Sequence, residues 1–144
     1  MTVPDRTRVL FVCTGNICRS AFAEVMARSV FAERSFMFSS AGTHAIPGSP
    51  ATRNMQTVAL ERGLDLSNHT ATPLDRCNEP DTVFGMEQHH LIAAREHFPG
   101  LDASRIRLLD HPMEIPDPYG ADLDDYRSTA DRFERVFEAR DLVK

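Results

Sequence analysis

One octapeptide limits the fold of this chain more than any other feature. It places a cysteine and an arginine five residues apart and reads Cys13, Thr14, Gly15, Asn16, Ile17, Cys18, Arg19, Ser20. The apolar run at 9–12 directly before it predicts a buried strand. A strand that ends in a Gly-containing turn and then opens a helix directs several backbone N–H groups at one point, which suits an oxyanion such as phosphate. The octapeptide therefore predicts an anion-binding loop after the first strand.

The cysteine and the arginine have chemical roles in such a loop. A thiol at its floor lies close to aligned amides, a helix N-terminus and the Arg19 guanidinium, and each of these favours the thiolate over the thiol. Arg19 offers a planar fork of donors for two phosphate oxygens. The alternative is a buried cysteine at a strand end beside a surface arginine. The strand before the loop and the helical pattern after it favour Cys13 as a nucleophile.

The remaining loop residues fit the same prediction. We expect Gly15 to take a φ angle that other residues avoid and to let the backbone approach bound oxygens. Asn16 tolerates left-handed geometry, and its amide can tie the loop together. Ser20 is predicted to donate a hydrogen bond to the sulfur of Cys13. Thr14, Ile17 and Cys18 complete the predicted phosphate-binding loop.

Residues 12–20 resemble the signature loop of the low-molecular-weight protein tyrosine phosphatases, in their bacterial form. The resemblance continues in the family's order through residues 23–24, 39–43, 63–69, Met86 and 117–120. It implies an enzyme that hydrolyses phosphotyrosine monoesters through a phosphocysteine intermediate, with Cys13 as nucleophile and Arg19 binding the phosphate. It implies no cofactor and no metal. The expected partner is a phosphotyrosine-containing protein such as a bacterial tyrosine kinase.

A second chemical signal lies a hundred residues downstream. Asp117 stands between Pro116 and Pro118, which stiffen the loop around its carboxylate. Taken alone, this segment reads as an Asp-Pro turn. The family resemblance assigns Asp117 the role of general acid and base, because an alkoxide or phenoxide leaving group needs a proton.

The resemblance also implies supporting residues. Ser40 and His69 are expected to join a hydrogen-bond network with the loop, although His69 alone reads equally well as a surface histidine beside a helix. Ile46 and Tyr119 are the expected walls for the substrate, because the aromatic residue that many relatives place near position 46 is missing. Glu87 stands where an aspartate is usual, and residues 70–72 lack an arginine common in the family.

Composition and patterning predict a single domain over residues 1–144. The 144 residues are 42% hydrophobic, which suffices for one core. The net charge of −5 and the absence of a basic run argue against a nucleic-acid binder. No run approaches the roughly 20 apolar residues of a membrane span, and no signal-peptide pattern opens the chain. A cytoplasmic enzyme, monomeric or weakly dimeric, is expected, since a catalytic thiol needs a reducing compartment.

Short apolar segments alternate with amphipathic ones. Strands are predicted at 8–12, 36–39, 82–85 and 106–108, and helices at 20–33, 50–63, 87–97 and from Leu123 onward. This alternation predicts an α/β three-layer sandwich, with a four-stranded parallel sheet flanked by helices and the site at the carboxyl ends of the strands.

The sequence leaves three further functions open. Phosphoarginine phosphatases of this type carry a threonine where this chain has Ile17, and arsenate reductases on this architecture need two further cysteines after the third strand. A non-catalytic phosphate-binding module is the third. His89 and His90 beside Glu87 read as an exposed helix face rather than a metal site. Cys77 reads as an incidental thiol, whereas Cys18 is expected to form a disulfide with Cys13 under oxidation.

Overall fold

Four parallel strands form one sheet. The computed structural model describes residues 6–33 and 35–139. The strands are β1 (Thr7–Cys13), β2 (Phe36–Gly42), β3 (Thr82–Gly85) and β4 (Ile106–Leu108), in the order β2-β1-β3-β4. The predicted four-stranded parallel sheet is confirmed.

Helices cover both faces of the sheet. They are α1 (Arg19–Val30), α2 (Arg53–Glu61), α3 (Gln88–His97) and α4 (Leu123–Ala139). Two short 3-10 helices at Leu74–Arg76 and Ala103–Arg105 were not predicted. None of the helices in the described part of the chain is both long and apolar enough to span a bilayer.

The central strand β1 supplies side chains to two cores. Its Phe11 lies in the larger core with Phe22 of α1 and Phe133 of α4, and its Leu10 lies in the smaller core with Leu91 of α3. Because both faces are covered, β1 is apolar throughout its buried part, as strands of parallel sheets are. The predicted three-layer sandwich is confirmed, while the extent of the domain over residues 1–144 stays a prediction.

The helix with the clearest apolar spacing packs as its pattern predicts. Tyr126, Ala130, Phe133 and Phe137 of α4 are buried in the larger core. The Phe133 ring lies 5.7 Å from that of Phe22, and the Phe137 ring lies 5.9 Å from that of Phe11 in an edge-on arrangement. Aromatic pairs of this kind stabilise a core beyond the area that they bury.

Three predicted boundaries were wrong by three residues each, and several others by one or two residues. β2 continues to Gly42, three residues past the predicted end, because Ser40, Ala41 and Gly42 still pair with β1. Helix α1 ends at Val30, short of the predicted residue 33. Helix α2 begins at Arg53 and not at residue 50, because the Thr52 hydroxyl accepts from the Met55 N–H and so caps the helix.

The topology places the candidate loop at a switch point. The chain leaves β1 for β2 on one side and later returns to β3 on the other side of β1. In open α/β sheets, ligands bind where the connections diverge in this way, beyond the carboxyl ends of the strands. Cys13 is the last residue of β1, and Arg19 is the first residue of α1, so residues 14–18 lie at that point.

Candidate active site

The loop after β1 is shaped by Asn16. Its φ of 56° is left-handed, as predicted, and it is fully buried. Its backbone N–H points back to the Cys13 Sγ atom at 3.3 Å. The expectation for Gly15 was wrong, because the positive φ angle falls on Asn16 and not on Gly15. An asparagine tolerates this conformation because its short polar side chain bonds locally.

Several backbone N–H groups of the loop lack protein acceptors among the described residues. Across the described residues, the N–H groups of Gly15, Ile17 and Cys18 have no hydrogen-bond partner. Cys18 stands at the N-cap of α1 and provides no side-chain cap for the helix. Donors of this kind, together with the positive end of a helix dipole, favour an anion at the loop.

Cys13 lies at the floor of this loop, with only 2% of its surface exposed. Its Sγ atom lies 2.9 Å from the Ser20 Oγ atom. Ser20 Oγ already accepts a hydrogen bond from the Asn16 amide at 2.8 Å. When Cys13 is a thiolate it has no proton to give, so the Ser20 hydroxyl donates to the sulfur.

Arg19 follows the loop and is buried, with its side chain 2% exposed. Its NH1 group donates to Glu87 Oε1 at 2.7 Å and to the carbonyl of Ile115 at 2.8 Å. Its Nε–H is buried and has no partner among the described residues. Buried donors are nearly always satisfied, so this N–H marks the direction from which an acceptor approaches.

Asp117 reaches the same guanidinium from the loop before α4. Its Oδ2 atom lies 3.5 Å from Arg19 NH2, and 42% of its side chain is exposed. Its Oδ1 atom accepts from the Tyr119 N–H at 3.0 Å, which fixes the carboxylate in an Asx turn. The fold thus brings Asp117 to Arg19, the residue that follows the loop, although the two lie far apart in the chain.

Ser40 and His69 lie where the resemblance implies. The Asn16 amide donates to Ser40 Oγ at 2.9 Å, and Ser40 in turn donates to Glu24 Oε1 at 2.5 Å. His69 Nε2 donates to the Asn16 carbonyl at 2.6 Å. The Thr72 N–H donates to Asn16 Oδ1 at 2.9 Å. Every polar group of Asn16 is therefore engaged, which holds the loop in one shape.

Cys18 lies at the end of the loop, where its side chain contacts two hydroxyl groups. Its Sγ atom is 3.5 Å from Thr52 Oγ1 and 3.6 Å from the Tyr126 hydroxyl. Burial raises the pKa of the Cys18 thiol, although the two hydroxyl contacts partly offset this. Burial likewise raises the pKa of Tyr126 to about 12. Both groups are therefore protonated at neutral pH.

Ile46 and Tyr119 are largely exposed, with 73% and 65% of their surfaces accessible. Neither makes a ring contact or a side-chain hydrogen bond with the loop among the described residues. Their role as substrate walls stays a prediction.

Glu87 and its two neighbouring histidines adjoin the loop. The ligand atoms of Glu87, His89 and His90 lie within 4.8 Å of one another. Both Glu87 oxygens, however, already bind Arg19 and His89, and both His90 nitrogens have protein partners. Although partial burial acts to raise it, hydrogen bonds from Arg19 and His89 lower the pKa of Glu87 and keep it ionised.

The interpretation of His89 and His90 as one exposed face was wrong for His90. His89 is exposed, but His90 is fully buried and lies against Thr14. The sequence shows three polar residues in succession at the start of α3, and nothing in that pattern distinguishes the buried one.

Gly42 and Glu87 are two further residues whose roles were missed. A Cβ atom at Gly42 would lie 2.5 Å from the Thr14 carbonyl oxygen and 2.9 Å from the Asn16 nitrogen, so the loop needs a glycine here. Glu87 stood out in the sequence only as a departure from aspartate. Its position shortly after β3, at the carboxyl edge that holds the loop, is the signal that indicates a site residue.

Comparison with known proteins agrees with this geometry. The profile of the family described as low molecular weight phosphotyrosine protein phosphatase matches residues 8–143. A low molecular weight protein-tyrosine-phosphatase, Wzb of Salmonella typhi, is 34% identical over 135 residues, which cover 90% of this chain and 84% of that protein. A protein-arginine-phosphatase of Bacillus subtilis is 31% identical over 94% of both chains.

A solved structure of a similar protein has the same fold as this chain. Vibrio vulnificus Wzb in complex with benzylphosphonate superposes with a TM-score of 0.84 and 26% identity, over 94% of this chain and 97% of that one. Sequence profile, relatives and fold agree over nearly the whole described chain, and the protein therefore belongs to the low-molecular-weight phosphotyrosine protein phosphatase family.

Proposed function

We propose that this phosphatase hydrolyses phosphotyrosine monoesters through a phosphocysteine intermediate formed on Cys13. The observation that carries the proposal is the buried Arg19 Nε–H, which has no partner in the described part of the chain and belongs to the residue that directly follows the loop after Cys13. A phosphate oxygen satisfies this donor and the free N–H groups of the loop together.

In the first step, the Cys13 thiolate attacks phosphorus. An S–P bond forms while the P–O bond to the tyrosine oxygen breaks, and Asp117 gives its proton to that oxygen. The Tyr119 N–H holds one oxygen of Asp117, which leaves the other oxygen facing Arg19 and the loop. This orientation supports Asp117 as the proton donor to the leaving group.

In the second step, water attacks the phosphocysteine. Asp117 removes a proton from the water, an O–P bond forms, and the S–P bond breaks to return the Cys13 thiolate. The Ser20 hydroxyl, 2.9 Å from the sulfur, stabilises the thiolate as it leaves. Inorganic phosphate is then released from the loop.

The proposed preference for phosphotyrosine follows from the depth at which Cys13 is buried. Cys13 is buried, so a phosphoryl group must enter on a long, flat side chain, and the short side chain of phosphoserine leaves phosphorus out of reach. Ile46 and Tyr119 are proposed as walls for the ring. A phosphotyrosine-containing protein, such as a bacterial tyrosine kinase, is the proposed partner. A cytoplasmic location and a monomeric or weakly dimeric state stay predictions.

Hydrolysis of phosphoarginine is the second candidate, because a relative with 31% identity is a protein-arginine-phosphatase. Ile17 argues for tyrosine. Its Cγ1 atom lies 3.3 Å from where a Cβ atom at Gly15 would be, so an aliphatic side chain lies beside the loop backbone, and we propose that it lines the pocket. An apolar wall favours a phenyl ring over a guanidinium group, which loses hydrogen bonds to water without regaining them.

Ile17→Thr tests this choice. We expect the variant to shift the ratio of kcat/KM values towards phosphoarginine by about tenfold, the scale of one buried polar contact. The ratio is measured with matched phosphotyrosine and phosphoarginine peptides. A wild-type enzyme that already prefers phosphoarginine would contradict the tyrosine assignment and leave the phosphatase class intact.

Arsenate reduction and phosphate binding without catalysis have less support. An arsenate reductase relay needs two further cysteines, and only Cys77 follows the loop. Its sulfur donates to the Pro73 carbonyl at 3.7 Å, and burial raises its pKa, which makes it a poor nucleophile. A module that only binds phosphate has no use for an acid at Asp117.

Redox control of the nucleophile is part of the proposal. Peroxide oxidises the Cys13 thiolate to a sulfenic acid, and the Cys18 thiol then condenses with it to form a disulfide and release water. Cys18 is protonated at neutral pH, so the first oxidation falls on Cys13.

Cys13→Ser is the direct test of the reaction. We expect hydrolysis of a chromogenic aryl phosphate to fall by at least about a thousandfold, while inorganic phosphate still binds, because the loop donors and Arg19 remain. Arg19→Ala is expected to lose both hydrolysis of the aryl phosphate and binding of inorganic phosphate. Substantial turnover by Cys13→Ser would rule out the phosphocysteine route.

A further inference from the structure

His90 is a fully buried histidine in contact with the phosphate loop, and no step of the mechanism above uses it. It lies in the first turn of α3. Its Nε2 atom lies 2.9 Å from the Oγ1 atom of Thr14, the residue directly after Cys13. The two residues are 76 positions apart in the chain, so this contact exists only in the folded protein.

The tautomer of His90 is fixed by its own helix. The backbone N–H of Glu87 donates to His90 Nδ1 at 3.0 Å, and the Glu87 side chain accepts from the backbone N–H of His90 in a capping box. Nδ1 is therefore an acceptor and the ring proton sits on Nε2. His90 must then donate to Thr14, whose hydroxyl oxygen accepts.

Close packing of α3 against the end of β3 positions the Nε2–H group of His90. A Cβ atom at Gly85, the last residue of β3, would lie 2.7 Å from Leu91 Cδ2 and 3.1 Å from His90 Cβ. The glycine thus lets the first turn of α3 approach the end of the sheet, beside the loop. Burial, together with the positive charge of Arg19, lowers the pKa of His90 to about 3, so the ring is neutral at physiological pH.

The loop is otherwise held from the opposite flank. The side-chain ties of Asn16 run to Ser40 of β2, to Ser20 and to the backbone of Thr72. On the side of the loop that faces α3, the described residues provide two side-chain hydrogen bonds, one to the loop and one to Arg19, which follows the loop. These are the bond from His90 to Thr14 and the bond from Arg19 to Glu87.

We propose that His90 is a positioning residue of the phosphate site: its Nε2–H holds the Thr14 side chain and with it the loop backbone directly after Cys13. The inference rests on the proposed function, since the loop matters only if it binds a phosphoryl group. Glu87 takes part in holding both residues, because its backbone N–H orients His90 and its side chain orients Arg19.

Two substitutions of His90 separate this role from helix capping. His90→Asn keeps an acceptor near Nδ1 for the Glu87 N–H but is too short to reach Thr14. His90→Gln keeps that acceptor and extends an amide N–H towards Thr14. Thr14→Val removes the acceptor in an isosteric side chain, and Thr14→Ser retains it. His97→Asn, at the other end of α3 with its Nε2 bonded to the Cys77 carbonyl, is the matched control.

The measurements are kcat and KM for para-nitrophenyl phosphate and the Kd of inorganic phosphate by calorimetry. For His90→Asn and for Thr14→Val we expect both kcat/KM and phosphate affinity to fall about three- to tenfold, the range of one hydrogen bond. The double variant should be no worse than either single variant, because both remove the same contact. His90→Gln and His97→Asn should stay within about twofold of wild type, and Thr14→Ser should be less impaired than Thr14→Val.

Three results would overturn the inference. These are unchanged phosphate affinity in His90→Asn, multiplied losses in the double variant, and a His90→Gln variant as impaired as His90→Asn. Calorimetry with inorganic phosphate reads the site without turnover. A failure of the tyrosine phosphatase assignment, seen as no hydrolysis by wild type, is therefore distinguishable from a failure of His90 to position the loop.

Discussion

At the scale of single residues, the two oxygens of Asp117 have different surroundings. One accepts from the Tyr119 N–H, and the other faces Arg19 at 3.5 Å. The carboxyl group is thus oriented by its own loop, with one oxygen towards Arg19. Orientation of this kind is what a general acid requires.

Asp117→Asn is expected to slow poor leaving groups far more than good ones. An alkyl phosphate should lose about a hundredfold or more in kcat, whereas a nitrophenyl phosphate, whose phenoxide is stable without a proton, should lose much less. The measurement is kcat across a series of phosphates graded by leaving-group acidity. Equal losses across the series would remove Asp117 from the general-acid role.

Residue roles were predictable where chemistry and local geometry coincide. The left-handed Asn16 follows from the tolerance of asparagine for that conformation. The buried His90 did not follow from any pattern, because its burial depends on Thr14, and the pairing of the two is created by the packing of α3 on the sheet. Long-range contacts of this kind are not encoded in any local window of sequence.

At the scale of elements, strand and helix positions were predictable and their ends were not. The strands at 82–85 and 106–108 are apolar and were located to the residue. The end of β2 was missed because Ala41 and Gly42, which follow Ser40, have low strand propensity, and pairing with β1 overrides it. The start of α2 was missed because Ser49 and Pro50 resemble a helix start as strongly as Thr52 does.

The loop as a unit carries the redox prediction. Wild type and Cys18→Ser are treated with dilute peroxide and then with dithiothreitol. We expect wild type to recover most of its activity through the Cys13–Cys18 disulfide. The variant should recover much less, because its sulfenic acid proceeds to irreversible acids. Equal recovery in both proteins would leave Cys18 without a protective role.

At the scale of the whole molecule, His90 makes folding stability depend on pH. Its pKa is about 3 in the folded protein because of burial, against about 6.5 in an unfolded chain. As the pH falls, the unfolded state binds the proton first. The stability that neutral His90 contributes is therefore complete above about pH 6.5 and declines towards pH 3, by at most about 1.4 kcal/mol per pH unit.

Urea unfolding of wild type and His90→Gln at several pH values between 7.5 and 4 checks this. Other carboxylates titrate in both proteins, so the difference between the two free energies of unfolding isolates His90. We expect wild type to lose stability faster than the variant as the pH falls below about 6.5. Parallel curves would show that His90 does not titrate differently in the two states.

The fully bonded Asn16 has a consequence for how the enzyme is inhibited. A loop that is ordered before anything binds offers its donors equally to a phosphoryl ester and to the free ion released after each turnover. The entropy cost of ordering the loop arises when the chain folds and not when a ligand binds. It therefore favours neither the phosphoryl ester nor the free phosphate ion. Inorganic phosphate, and tetrahedral anions of similar size, should therefore compete with substrate, and rates measured in phosphate or sulfate buffers will understate the activity of the enzyme.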